Sequence, residues 1–393
     1  MAAQHVEIFG GGPAGLMAAQ VLSAGGAAVT LHDAMPSLGR KFLLAGRGGL
    51  NLTHSEPFES LVARFGDASE FLRPMLEAFP PETLRAWADD LGQATFVGSS
   101  GRVFPRAMKA SPLLRAWLGR LRAQGVQIEI RSAWRGWEPR PGVPSPNATI
   151  LALGGASWPR LGSDGSWIPA LQAQGVILNP FKPANGGFDV AWSAMFRARF
   201  AGQPLKAVAL SFAGQTVSGE AMVTDYGLEG GAVYALSAPL RDAFLATGSA
   251  TLQVDLRPNL KEADIAKRLA QTRPGETLAN RLRKAVSLST LEVHLLREAH
   301  GLQLPAEAVA LARAIKIAPL QLTGVRPLAR AISSAGGVAF AAVGPDLQLH
   351  AVPHTYVVGE MLDWEAPTGG YLLQACLATG AWAARAILDR ATP

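Results

Sequence analysis

Cysteine is almost missing from this chain: Cys376 stands alone among 393 residues. A disulfide framework is therefore impossible, and so is a redox pair of neighbouring thiols. The seven histidines are scattered without metal-ligand spacing, so no metal site is expected. Neither a Gly-x-Ser-x-Gly elbow nor a phosphate-binding P-loop occurs, which removes the commonest signatures of serine hydrolases and nucleotide hydrolases. No run reaches the roughly 18 uninterrupted apolar residues of a membrane span. The first residues carry no basic cluster and run straight into glycines, reading as a strand and not a secretion signal. The expectation is a cytoplasmic protein of bacterial type with no membrane span.

Charge is also sparse, at 17% of residues against 49% apolar, which points to a compact folded protein with little disorder. The length allows two or three structural units. The net charge of +6 is compatible with an anionic cofactor or substrate and identifies neither. Arg102 to Arg140 holds nine basic and two acidic residues, and Arg257 to Lys284 holds eight and three. These stretches read either as solvated helix faces or as phosphate contacts.

What is abundant is glycine, and the first cluster is informative. His5 to Phe9 is a strand pattern that turns into Gly10-x-Gly12-x-x-Gly15, followed by apolar residues at helical spacing from Leu16 to Leu22. Gly25-Gly26 then leads to a second strand, Ala28 to Asp33. Gly10 permits the sharp turn, Gly12 lets the backbone approach a pyrophosphate, and Gly15 allows close helix–sheet packing. Pro13 and Ala14 open the helix, whose free N–H groups and positive dipole end favour phosphate. Asp33, 18 residues past Gly15, is placed to accept from ribose hydroxyls. The fingerprint by itself leaves FAD and NAD(P) both open.

Two later regions favour FAD. The loop from Gly39-Arg40-Lys41 through Arg47 to Asn51-Leu52-Thr53-His54 combines backbone freedom with cations near something anionic or planar. Thr149 to Gly155, with Ala152, Gly154 and Gly155, reads as a strand returning its backbone to the dinucleotide. Near the end, Tyr356 to Asp363 supplies an apolar strand and the turn Gly359-Glu360-x-x-Asp363. Gly369-Gly370-Tyr371-Leu372 then opens a long helix. Glu360 can hold a ribityl hydroxyl, and the helix start can point its N–H groups at the pyrimidine edge of an isoalloxazine.

In order along the chain, GGGPAGLMAA, GRKFLLAGRGGLNLTHSE, GRVFP, LALGGASWPRLGSDGS, MVTDYGLEGG, SSAGGVAF and VVGEMLDWEAPTGGYLLQ resemble a bacterial family of conserved NAD(P)/FAD-dependent oxidoreductases. The likeness implies an α/β fold: a split Rossmann-like FAD-binding domain carrying a small inserted β-barrel and a helical subdomain. The expected parts are 1–183 and 334–393 for the FAD domain, 184–258 with 318–333 for the barrel, and 259–317 for the helices. The family includes enzymes that reduce carbon–carbon double bonds in bile-acid intermediates and in a uracil of ribosomal RNA. This chain is similar to a shorter subgroup, with Leu50 standing where the family commonly has a cysteine.

No second glycine fingerprint marks a dedicated nicotinamide domain, so NADH or NADPH is expected as a transient reductant. The flavin itself is left as the reactive group, with Arg47, His54 and Tyr226 as candidate assisting side chains. Four readings stay open. An NAD(P)H-driven reductase would act on an unsaturated small molecule, or an RNA-base reductase would use the basic stretches. A monooxygenase is the third, and a module in which FAD is structural is the fourth. The oligomeric state is not legible.

Overall fold

A computed structural model describes residues 4–45, 48–137, 145–273 and 275–391. The chain forms two compact units, 1–182 with 332–393, and 183–331. The first is built on a five-stranded parallel sheet. Its order is Thr355–Val357, Ala148–Leu151, His5–Phe9, Ala28–Asp33, Gln127–Ile130. Such sheets are covered on both faces, and even the polar Glu7 and His32 of the central strands are buried. Val6, Ile8, Leu31, Ile150 and Leu151 are fully buried.

The glycine turn feeds the helix Pro13–Ala24, whose Leu16, Met17, Ala18 and Leu22 are buried. Each large apolar side chain of this kind contributes roughly 1.5–3 kcal/mol on burial. The 21-residue helix Tyr371–Ala391 packs against it so closely that a Cβ at Gly380 would lie 2.2 Å from the Ala14 carbonyl oxygen. Its segment Tyr371–Arg390 is long and apolar enough to cross a membrane by length and composition, with a mean hydropathy of 1.2. That segment is 61% buried and lies against the first helix, as an interior element does. The uninterrupted-run criterion passed over it because Gln374, Thr379 and Arg385 punctuate an alanine-rich sequence.

Glu56 to Phe65, Glu70 to Phe79, Glu82 to Leu91 and Ser111 to Gln124 show apolar residues at helical spacing, and helices Phe58–Ala63, Ser69–Ala78, Pro81–Asp90 and Ala110–Ala123 form there. Between them Thr53–His54, Arg102–Pro105 and Thr95–Val97 form a small antiparallel sheet.

The second unit contains a closed six-stranded barrel. Its order is Pro204–Phe212, Gln215–Val223, Gly227–Glu229, Phe188–Val190, Ala318–Val325, Ala250–Asp255. The first hairpin turns on Ala213-Gly214, both at positive φ, as a two-residue loop requires. Alternation sends Leu252 and Val254 inward. Helices Glu262–Ala270, Leu278–Val286, Thr290–His300 and Ala308–Lys316 follow, the third opened by a reciprocal Ser289/Glu292 cap. Helices Ala194–Phe200, Gly231–Ala235 and Ser237–Thr247 lie among the short β-type runs that the sequence shows from about Pro183 to Asp255. The first two span fewer than two turns, too short for a period to show.

Candidate functional site

At the carboxyl ends of the parallel strands, Gly10 adopts φ +109° and donates its N–H to the His32 carbonyl at 2.8 Å. A Cβ there would fall 2.1 Å from the Ala152 carbonyl oxygen, so only glycine closes this turn. Gly12 differs: a Cβ would meet nothing within 4 Å, and its backbone faces open groove. Asp33 accepts from the Gly11 N–H at 2.8 Å and from the Met35 N–H at 2.7 Å. Burial raises its pKa against those bonds and the Arg40 charge. The carboxylate thus ties down the turn while lining the groove.

This end of the groove has a volume of about 130 Å³. It meets a larger cavity of about 410 Å³, and Pro13, Lys41, Phe42, Glu360 and Cys376 line both. At that junction Lys41 Nζ lies 2.7 Å from Glu360 Oε2 and donates to Ser157 Oγ at 2.6 Å. The other Glu360 oxygen accepts from the Ser334 N–H at 2.9 Å. Gly155 makes this possible, since a Cβ there would lie 1.8 Å from Ser334 Oγ. The larger cavity is walled by Leu44, Trp158, Ile332, Trp364, Leu372 and Leu373, with Asn51 and Gly369-Gly370 at one side. Gly370, at φ +95°, sits directly on the Thr53 backbone.

Three residues lining this continuous groove each carry a buried polar atom that lacks a hydrogen-bond partner: Arg40 Nε, Ser163 Oγ and Asn51 Oδ1. Buried polar groups are normally satisfied, so three along one groove fit a polar ligand. Together with the open backbone at Gly12 and the helix start, they suit a dinucleotide. Among the described residues no cluster of metal-ligating side chains occurs.

Of the residues singled out by sequence, Gly10, Gly12, Pro13, Ala14, Asp33, Gly39, Arg40, Lys41, Ala152, Gly154, Gly359 and Glu360 line the narrower end. Asn51, Gly369, Gly370 and Leu372 line the wider one. Gly15, Leu52, Thr53 and Gly155 are buried and line neither part of the groove. Asp363 is taken up by the Gly336 N–H and the Asn179 carboxamide, at 3.0 and 2.5 Å. Tyr371 turns its hydroxyl to Glu56 and stacks on His54, with ring centroids 5.6 Å apart. Burial and Glu56 push its pKa up.

His54 is held between the Ser100 carbonyl and the Glu56 N–H, away from the groove lining. Tyr226 belongs to the barrel unit, where its hydroxyl donates to Glu229 at 2.5 Å and Arg326 covers its ring at 4.0 Å. Burial and Glu229 raise its pKa. Arg47 lies outside the described residues. Leu50 is fully buried in the core. Cys376 lines the junction, and desolvation pushes its thiol up to about 12.

Sequence reasoning missed Ser132, Trp134 and Ser163 at the narrow end and Trp158, Ile332 and Trp364 at the wide end. Trp134 packs edge-on against Trp137 with centroids 5.0 Å apart. In the basic stretches, Arg120 pairs with Asp90, Arg257 with Glu292 and Lys284 with Glu276, at 2.8, 2.6 and 2.6 Å.

A family profile described as "HI0933-like protein Rossmann domain" matches residues 4–386. A 3-dehydro-bile acid delta(4,6)-reductase of Clostridium scindens is 30% identical over 413 residues, covering 98% of this chain and 99% of that protein. The structure is similar to that of a 3-ketosteroid delta1-dehydrogenase from Sterolibacterium denitrificans bound to 1,4-androstadiene-3,17-dione. The TM-score is 0.52 at 12% identity, over 98% of this chain and 99% of the other, a likeness of fold. A 3-ketosteroid-delta4-(5alpha)-dehydrogenase from Rhodococcus jostii aligns with TM-score 0.47 and 15% identity, over 98% and 97%.

Proposed function

The chain belongs to the HI0933-like Rossmann family and is an FAD-dependent oxidoreductase; on that premise we propose that it reduces a carbon–carbon double bond in a flat, apolar, steroid-like molecule, with NADH or NADPH as reductant. The observation that carries this reading is the apolar wall of the larger cavity, continuous with the glycine-lined groove. The Clostridium scindens relative, a bile-acid reductase by name, agrees with it. When bound, FAD would supply hydride transfer, the chemistry no side chain here can provide.

The chain's own residues would do the rest. Gly12 and the N-terminus of Pro13–Ala24 receive the phosphates, and Asp33 accepts from the adenosine ribose. Trp134 offers an aromatic ring near that end. Lys41 and Glu360 grip the middle of the cofactor, while Asn51 and the Gly369-Gly370 backbone hold the ring system. Leu44, Ile332 and Leu373 exclude water from the reacting bond. We further infer that 1–183 with 334–393 form the cofactor domain, 184–258 with 318–333 the barrel and 259–317 a helical insert. A uracil in structured RNA draws less support, because Arg120, Arg257 and Lys284 already hold acidic partners in the fold.

The test is an anaerobic visible spectrum of the purified protein with NADH or NADPH, followed by addition of a 3-oxo-4-ene steroid. Bleaching by nucleotide and recovery on adding steroid are expected. A flavin that bleaches but is never reoxidised by any flat enone steroid sinks the substrate assignment. One reduced only by dithionite sinks the nicotinamide assignment.

A further inference from the structure

Nine non-glycine residues among those described have positive φ, and Trp158 alone of them lines the groove. Its φ and ψ of +62° and +59° place it in the left-handed region. A bulky side chain seldom adopts that conformation, and the residue before a proline is steered towards extended backbone, yet Pro159 follows directly. Strained backbone of this kind persists where the surroundings over-determine it, and it concentrates at ligand sites.

Those surroundings are visible. Ser157 is fully buried, accepts from Lys41 and donates to the Ile332 carbonyl at 3.4 Å. The Trp158 carbonyl accepts from the Leu161 N–H, fixing the short 3-10 turn Pro159–Leu161. Trp158 belongs to neither apolar core cluster, whereas Trp364, which also lines the cavity, is buried and bonded to the Gly359 carbonyl. A half-buried tryptophan, held in a costly conformation and outside both core clusters, lines the apolar cavity.

We propose that Trp158 is a specificity-determining wall of the substrate slot, presenting a flat aromatic surface to a planar polycyclic enone. Lys41, through Ser157, is the positioning residue for that wall. The slot discriminates by shape: a flat ring system lies along the indole, and a bent one cannot. The assignment rests on the steroid-like reading above, and the experiment separates the two.

The probe is 4-androstene-3,17-dione, titrated into the oxidised holoprotein while the flavin absorbance is followed. Wild type is expected to show a saturable spectral shift, and to bind this flat molecule roughly tenfold or more tightly than the bent 5β-androstane-3,17-dione. Trp158→Ala is expected to weaken the flat ligand by roughly tenfold or more at unchanged flavin content, and Trp158→Phe by no more than about threefold. No shift in wild type overturns the steroid-like reading and the wall with it. A wild-type shift accompanied by equal affinity for flat and bent ligands overturns the wall alone. So does a flavin-loaded Trp158→Ala that binds as wild type does.

Discussion

Lys41 and Glu360, 319 positions apart, meet at 2.7 Å at the point where the two parts of the groove join. The pair links the helix after the second strand to the turn before the last helix, and both side chains are largely shielded from water. Removing one partner leaves the other charge poorly compensated. Lys41→Met is therefore expected to cost about 1–3 kcal/mol of stability and to weaken FAD binding by a comparable amount. Thermal unfolding and flavin titration of the apoprotein check both; unchanged flavin affinity would remove Lys41 from the cofactor grip.

The two outer glycines of the turn should fail in different ways. Gly12→Val adds bulk to open groove, so the apoprotein should keep its melting temperature and lose flavin. Gly10→Ala forces a Cβ onto the Ala152 carbonyl at φ +109° and should lower stability by about 3 kcal/mol or more. Calorimetry of both apoproteins, with flavin content from the visible spectrum, separates a lost fold from a lost site. A Gly12→Val protein that purifies fully yellow contradicts the placement of the pyrophosphate.

Cys376 should react slowly with thiol reagents at pH 8 in the native protein and yield one equivalent readily on unfolding. Burial raises its pKa from an ordinary 9.0 to about 12, so the folded thiol stays protonated where the unfolded one ionises. Its contribution to stability is complete below about pH 9 and declines as pH rises towards about 12. Cys376→Ala should flatten that alkaline decline in a series of denaturant titrations. Rapid labelling at pH 8 would show that the thiol is not desolvated.

Glu56 behaves in the opposite sense. Burial raises its pKa, but hydrogen bonds from Arg64 and Tyr371 outweigh burial and hold the carboxyl below its ordinary 4.5. Its stabilisation is present above that value and lost as pH falls below it. Tyr371→Phe removes one donor, at a cost of about 1 kcal/mol, and should move the acid unfolding midpoint upward. An unshifted acid midpoint would mean that the phenol does not stabilise the carboxylate.

The legible part of the site was the short-range part. Gly10, Gly12 and Asp33 fall within one strand–helix–strand unit, where spacing and geometry are the same information. The direction of Tyr371 was not legible, because adjacency to Gly370 cannot say which side of the helix start faces the groove. Trp158 gave no sign: its neighbour Ser157 is held by Lys41, 116 residues away. Trp134 and Ile332 enter the lining from irregular segments next to strands, where no periodicity marks a residue. The barrel's alternation showed through at Thr251 to Leu256, whereas the helix Ser237–Thr247 was hidden in a segment that mixes Ala, Pro and Arg without a clear stripe.

The parallel sheet places Thr355–Val357 beside Ala148–Leu151. During synthesis the earlier strand must wait for its neighbour while 204 residues (355 − 151) are added. At ribosomal speeds that is on the order of 10–40 s with one sheet edge unpaired. Residues 183–331, a compact unit, emerge entirely within that interval. The nascent chain therefore carries an aggregation-prone edge until its final segments arrive, which makes chaperone supply and translation rate determinants of yield.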